Sequence, residues 1–201
     1  MYKRQALTIA TDAVDIAMLS ATGTADATTF LRGDNAWAAA GGGKIGQVLS
    51  VTKTDVFTLS TSNTWTDITD LTLAITPAAT SSKILIMTDI YHSSDATGGS
   101  MMFRFMRTST AIGIADAVGT PRLQTSFGSY VGDVTASAEV GTDMSGNTFL
   151  DSPSTTSATT YKIQGFIAGT TQYVNRTIRD ADNAYYDPRS TSSFTLMEVL
   201  A

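Results

Sequence analysis

The residues best suited to bind a ligand lie near the carboxyl end of the chain, in the run Arg179 to Pro188, RDADNAYYDP. This run holds the densest acidic group of the sequence, formed by Asp180, Asp182 and Asp187. Its two adjacent tyrosines can stack on sugar rings, while carboxylates and amides bond to sugar hydroxyls. The residues predicted to bind such a ligand are Asp182, Asn183, Tyr185, Tyr186 and Asp187.

Other interpretations of this run remain open. It could be a solvated loop without a ligand, because loops are usually polar and exposed. It could hold calcium, although it lacks the distal glutamate of common calcium loops. A glycosidase would need two carboxyl groups at a fixed separation, one with a raised pKa. We predict neither a metal nor a cofactor.

His92 is the only histidine of the chain, so a Ser/His/Asp hydrolase would depend on it. No Gly-x-Ser-x-Gly elbow accompanies it. We expect this side chain at the surface or at an interface. A metal site would need three copies of it to meet on a symmetry axis, since one chain supplies one imidazole. The sequence therefore predicts a protein that is not an enzyme.

Charge and composition limit the partners. The net charge of −5 and the isoelectric point near 4.7 give no basic surface for a phosphate backbone, so we predict no nucleic-acid partner. No apolar run approaches the roughly 20 residues that span a bilayer, so we predict no membrane insertion. The chain has no cysteine. Disulfides and thiolate metal sites are thereby excluded.

The elements that must position these residues are strands. Thr and Ser make up 54 of the 201 residues, against two Glu and five Lys, and this balance favours pleated strands over surface helices. Their spacing of about 10–15 residues, with turn residues between them, is typical of an antiparallel sandwich, and their number favours a jelly roll. The topology from Gly113 to Ser157 is left open. The predicted strands are Gln47–Leu59 with a polar break at Thr52–Asp55, Leu71–Ile75, Lys83–Met87, Ser100–Arg107, Tyr130–Val140, Tyr161–Ile167, Gln172–Ile178 and Phe194–Leu200.

The amino-terminal part has a different texture. Residues 1–20 form an attachment or oligomerisation segment, either a short helix or an irregular packed segment. Residues 21–45 form a stalk and glycine linker, and residues 46–201 form the tip domain. The stalk carries Phe30, Leu31 and Trp37 among small residues. A free linker would not keep these side chains exposed, so we expect copies of the chain to cover them in a homotrimer.

Several motifs resemble those of one protein family. The pattern Thr-Phe-Leu-Arg-Gly-Asp-Asn-x-Trp, from Thr29 to Trp37, resembles the stalk segment that recurs in bacteriophage tail-fibre proteins before a β-rich tip. Within it, Arg32-Gly33-Asp34 also reads as an integrin-binding tripeptide, but a turn in the stalk explains the glycine more simply. Motifs that resemble the carboxyl-terminal domain of marine-phage fibre proteins are Trp65 to Ile68, Thr76-Pro77, Ser81 to Ile84, SPSTTSATTYKIQ from Ser152 and SSFTLMEVLA from Ser192.

This resemblance implies a function. It implies a homotrimeric virion protein, located on the phage tail or the capsid surface, whose jelly-roll tip binds a host surface glycan or protein. The amino terminus would attach to other virion proteins. Two alternatives stay open: a structural capsid fibre or decoration protein without a receptor role, and a polysaccharide depolymerase. The short chain without a long β-helix repeat argues against the depolymerase.

Overall fold

The computed structural model describes residues 21–39, 44–94, 99–117, 119–131 and 141–201, so the predicted segment 1–20 lies outside the described residues. The chain divides into two units, one ending at Gly43 and one spanning Lys44–Ala201. Every regular element in the described ranges is a β-strand or a single bridge, which confirms the predicted all-β class. Within those ranges, no helix has the length and apolarity to cross a membrane.

The first unit contains a β-hairpin, which we call the hairpin unit (residues 21–39). Strands β1 (Thr29–Leu31) and β2 (Trp37–Ala39) pair antiparallel, and a parallel bridge joins Thr22 to Ala36. Gly23 adopts a φ of 89°, and a Cβ there would lie 2.7 Å from the Trp37 carbonyl oxygen. Only glycine fits that approach without strain.

The second unit, which we call the sandwich unit, consists of eleven described strands. They are β3 (Ile45–Lys53), β4 (Phe57–Leu59), β5 (Thr66–Ile75), β6 (Lys83–Ser94), β7 (Gly99–Arg107), β8 (Thr110–Ile112), β9 (Phe127–Val131), β10 (Asp143–Asp151), β11 (Thr159–Ile167), β12 (Gln172–Val174) and β13 (Ser192–Val199).

These strands form two antiparallel sheets. In the first sheet, β6 pairs with β13 and β12 along one edge and with β10 along the other, while β3 pairs with β13 and β4 with β12. In the second sheet, β11 lies between β5 and β7, and β7 also pairs with β8 and β9. Early strands thus pair with late ones: β3 with β13, β5 with β11, β6 with β10, and β7 with β9.

The hydrophobic core joins the inner faces of both sheets, consistent with a β-sandwich. Alternation along each strand sets which side chains enter it. Phe103 and Phe105 of β7 are buried, and so are Phe194 and Leu196 of β13. The other fully buried members include Ile84, Ile86, Ile90, Tyr161 and Ile163.

Several strand predictions need correction. The predicted strand Lys83–Met87 continues to Ser94, because inward alternation persists through the polar residues after Met87. The predicted strand Gln172–Ile178 ends at Val174, where Asn175 takes a φ of 65° and the chain turns. Strand β10 was missed, since Phe149 and Leu150 break the expected alternation. Most of the predicted strand Tyr130–Val140 lies outside the described residues; β9 starts earlier, at Phe127.

Candidate functional site

The predicted ligand residues belong to a long loop between β12 and β13, residues 175–191, which we call the tyrosine loop. Asn175 closes its base. Its Nδ2 donates to the carbonyl oxygens of Lys53 at 2.9 Å and Asp55 at 3.0 Å, and its Oδ1 accepts from the Ser192 hydroxyl at 2.6 Å. The buried Asn175 therefore holds the start of the loop to its end and to the first sheet.

Asp187 organises the interior of the tyrosine loop. Its side chain is fully buried, and it accepts from the Thr177 hydroxyl at 2.8 Å, Arg179 Nε at 2.7 Å and the Ala181 N–H at 3.2 Å. Burial alone would raise the pKa of the Asp187 carboxyl, but these hydrogen bonds outweigh it and the pKa lies below its usual value. The carboxylate stays ionised and holds the chain around it.

Asp180 forms a second anchor. Arg189 donates to it through Nε and Nη2, both at 2.9 Å, and Arg176 approaches it at 3.3 Å. The bonds from Arg189 are the main reason that the pKa of Asp180 lies below its usual value. Arg176 also lies over the ring of Tyr173, 3.9 Å from its centroid. Fork-shaped arginine contacts of this kind fix geometry as well as charge.

The two tyrosines are displayed outside this frame. Tyr185 is 98% exposed and Tyr186 is 49% exposed. Their rings meet edge to face, with centroids 5.2 Å apart and planes at 81°. The Arg179 guanidinium lies 4.8 Å from the Tyr186 centroid, so the same arginine that bonds Asp187 also supports Tyr186. The Tyr186 side of this exposed aromatic surface is thereby held by the Arg179–Asp187 ion pair, whose carboxylate is buried.

The structure separates the five predicted ligand residues into two groups. Asp182, Asn183, Tyr185 and Tyr186 are exposed together on the loop, where they can meet a ligand. The carboxylate of Asp187 is directed inward to Thr177, Arg179 and Ala181 and is not open to one. It acts by positioning the exposed residues.

Sequence reasoning missed the residues that hold the loop. Arg179 and Asp187 are eight residues apart, and Asp180 and Arg189 are nine apart, so the two pairs close overlapping spans of the loop. These two pairs of opposite charges were visible in the sequence, and their similar separations could have indicated ion pairs that hold the loop. Asn175 gave no comparable signal, because its partners belong to distant strands.

Asp180 and Asp187 are poorly suited to act as the acid of a glycosidase. A glycosidase acid needs a raised pKa so that it carries a proton near neutral pH. The pKa values of Asp180 and Asp187 are both lowered. Both carboxylates are also occupied by arginine donors.

His92 is not at the surface, so the prediction of a surface or interface histidine is wrong. It lies on the inner face of β6, is fully buried, and its Nε2 contacts the hydroxyls of Ser145 at 2.9 Å and Ser129 at 3.1 Å. Phe103 packs against its ring edge. Burial lowers the pKa of His92 to about 4, with partial compensation by Asp143. A side chain enclosed in this way cannot meet its copies on an axis.

No group of three or more metal-ligating side chains occurs within the described ranges.

Comparison with known proteins identifies no relative: no protein-family model matches the chain, and no curated protein matches it.

Proposed function

We propose that the chain is a homotrimeric bacteriophage fibre protein whose jelly-roll tip binds the host cell surface through the tyrosine loop. The observation that carries this proposal is the loop itself. A nearly fully exposed tyrosine stands beside two ion-paired carboxylates, of which Asp187 has a fully buried side chain and Asp180 a partly exposed one. Isolated exposed tyrosines are common, but here Arg179 holds Tyr186, and Tyr186 in turn contacts the Tyr185 ring. This favours recognition, because side chains that are already held lose less entropy on binding.

The strand order supports the jelly-roll part of the proposal. If β3 with β4, β8 with β9, and β12 with β13 each count as one bent strand, the unit has eight strands. The first then pairs with the eighth, the second with the seventh, the third with the sixth and the fourth with the fifth. A long hairpin wound into two sheets gives this order, which is that of the double Greek key.

The hairpin unit supports a fibre that assembles from copies. Phe30 is 48% exposed, and Leu31 is also exposed. The Trp37 Nε1 is buried without a hydrogen-bond partner among the described residues. Apolar side chains on a two-stranded hairpin need further cover, because an isolated hairpin is marginally stable in water. Neighbouring copies would supply that cover and would make weak tip contacts effective through avidity.

The ligand class follows from the exposed chemistry of the loop. Tyr185 and Tyr186 offer aromatic faces, and Asp182 and Asn183 offer hydroxyl-binding groups beside them. This combination suits a host surface glycan. Binding should depend weakly on salt, because few formal charges would be neutralised.

We expect a Tyr185→Ala, Tyr186→Ala double variant to lose at least tenfold in adsorption of the purified protein to host cells. The variant removes both stacking faces while leaving the buried contacts of Asp187 in place. Adsorption is measured as bound protein against concentration, and the mass of the variant is checked so that a loss of avidity is not mistaken for a loss of contact.

The matched control is an Ile114→Ala, Leu123→Ala double variant, which removes two exposed apolar side chains elsewhere on the unit. It should adsorb like the native protein. Equal adsorption by the native protein and the tyrosine variant would contradict the proposed role of the loop. Loss in the control alone would point instead to the depression of about 450 Å³ that Leu123 lines with Pro121 and Phe166.

We expect Trp37→Ser to weaken assembly. Complete burial of a large apolar side chain contributes about 1.5–3 kcal/mol. Trp37 is already half-buried within the hairpin unit, so each copy in a trimer would lose part of that amount at the contacts between copies. Mass measurement over a dilution series should show dissociation at higher protein concentration than for the native chain. Trp37→Phe keeps an apolar ring and should remain assembled; an unchanged mass and melting temperature for Trp37→Ser would count against the stalk model.

A further inference from the structure

The outer face of the first sheet carries a row of apolar side chains that crosses four of its six strands, β3, β13, β6 and β10. The pairing register places Met197 of β13 opposite Val48 of β3 and also opposite Leu85 of β6, and Leu85 opposite Leu150 of β10. Directly opposed residues share one face of a sheet. Val48, Met197, Leu85 and Leu150 therefore form one continuous row.

This face collects much of the exposed apolar surface of the sandwich unit. Eight large apolar side chains are exposed in its described ranges, and four of them lie here: Ile45, Val48, Met144 and Leu150. Val48 is 53% exposed and Met144 is 56% exposed. On monomeric proteins, a contiguous apolar patch of this kind usually marks an interaction site.

The face is nearly free of charge. Between the apolar residues lie Ser50, Thr195 and Thr148, and the Ser50 and Thr195 hydroxyls bond to each other at 2.7 Å. The formal charges on the described strands of this face are Lys83 and Asp89, one of each sign. Such a surface offers nothing to a strongly charged partner, but it can meet a copy of itself without like-charge repulsion.

The outer face of the second sheet, in contrast, carries charged and polar side chains that bond to one another. Lys162 pairs with Asp67 at 2.6 Å, and Gln164 bonds to both Asp67 and Arg104. The Arg104 guanidinium lies 4.3 Å from the Trp65 centroid. This face satisfies its own polar groups and suits solvent. The two faces of one sandwich therefore indicate different surroundings.

We infer that the outer face of the first sheet packs against other copies of this chain. This inference rests on the homotrimer of the proposed function and adds the surface through which the tips meet. Four strands about 4.8 Å apart, paired over about nine residues, give a face of roughly 20 Å by 30 Å. That footprint is of the order of the ~800 Å² that each partner contributes to a stable interface.

Two further features fit a copy as the occupant. Gly146 leaves a depression of about 390 Å³ beside Met87, Met144 and Thr148, which can receive a side chain of a neighbour. Copies joined through their hairpin units would also be tethered, and tethering raises the effective concentration at which these faces meet.

The first test adds charge to the face. A Val48→Lys, Leu150→Lys double variant of the full chain places cations on both edge strands, where copies would bring like charges together. We expect its mass to fall from trimer to monomer at micromolar concentration, with a cooperative melt retained. The control, Thr72→Lys with Ala74→Lys, adds the same charge to the outer face of the second sheet and should remain trimeric.

The second test leaves the fold nearly undisturbed and remains informative if the lysine variant does not fold. Because the chain has no cysteine, a single introduced thiol reports one position. Thr148 and Thr72 are both exposed in the single chain, on the two opposite outer faces. We expect maleimide to label Thr148→Cys at least tenfold more slowly than Thr72→Cys in the native assembly, and at the same rate in denaturant.

The outcomes separate the two proposals. If the native protein is a trimer and both positions are labelled at the same rate, the inference about the outer face is wrong, while the proposed trimer is unaffected. A lysine variant that stays trimeric with an unchanged melting temperature would lead to the same conclusion. A monomeric native protein would overturn the assembly in the proposed function, and this inference with it.

Discussion

A chain shortened by residues 195–201 is expected to show no cooperative unfolding transition. These residues form most of β13, which lies between β3 and β6 in the first sheet. Their loss exposes the hydrogen-bonding edges of both neighbours and removes the fully buried Leu196. It also removes Glu198, whose carboxylate accepts from the Ala78 N–H at 2.6 Å and from Gln47.

The expected effect is large because a domain of this size is stabilised by only about 5–15 kcal/mol. Burial of Leu196 alone contributes about 1.5–3 kcal/mol, and the strand contributes two ladders of hydrogen bonds in addition. Thermal unfolding followed by circular dichroism measures the loss. A chain lacking only Ala201, which lies beyond β13, should melt like the native protein. A soluble shortened chain with a cooperative melt would show that β13 is dispensable.

The free energy of unfolding is expected to fall by about 3 kcal/mol as the pH is lowered from 6.5 to about 4. Burial lowers the pKa of His92 to about 4, against a usual value of 6.5. In that window the unfolded chain binds a proton that the folded chain does not, so acid favours unfolding. The contribution is fully present above pH 6.5 and is lost as the pH falls through the window.

The His92→Gln variant isolates this effect, because an amide keeps a hydrogen-bonding group near Ser145 but cannot titrate. Urea unfolding at pH 4.5, 5.5 and 7.5 measures the free energy of unfolding at each pH. This free energy should fall steeply with decreasing pH for the native chain and only slightly for the variant. The lowered pKa values of Asp187 and Glu198 add losses mainly below pH 4.5, outside this range. Parallel slopes for both proteins would show that the pKa of His92 is the same in the folded and the unfolded chain.

The strongest sequence predictions concerned strands with clear alternation. Phe103 and Phe105 are two residues apart, which places both on one face, and both enter the core. No strand was predicted at Asp143–Asp151, because polar residues and the adjacent Phe149 and Leu150 hide the alternation of apolar and polar side chains. The partner of that strand, β6, lies some fifty residues earlier in the chain. Local patterns carry no information about such a distant pairing.

Whether a single polar side chain is buried or exposed depends on spatial neighbours that the sequence does not reveal. His92 follows a clearly apolar strand, yet its burial depends on β6 continuing beneath Phe103 of the other sheet. Asp182 and Asp187 are the same residue type in the same loop. Arg179 and Thr177 bond to Asp187, whose side chain is therefore directed inward. Identical side chains thus take opposite roles within one loop.

The sequence by itself determined the all-β class, most strands of the core and the loop in which Tyr185 and Tyr186 lie, because side-chain alternation and turn residues act over a few positions. The tertiary structure decided which strands pair, which carboxylate of that loop is buried, and which sheet keeps an outer face with few charges. Those properties arise from contacts between distant residues, such as Asn175 with Lys53 and Met197 with Leu85. They exist only once the chain has folded.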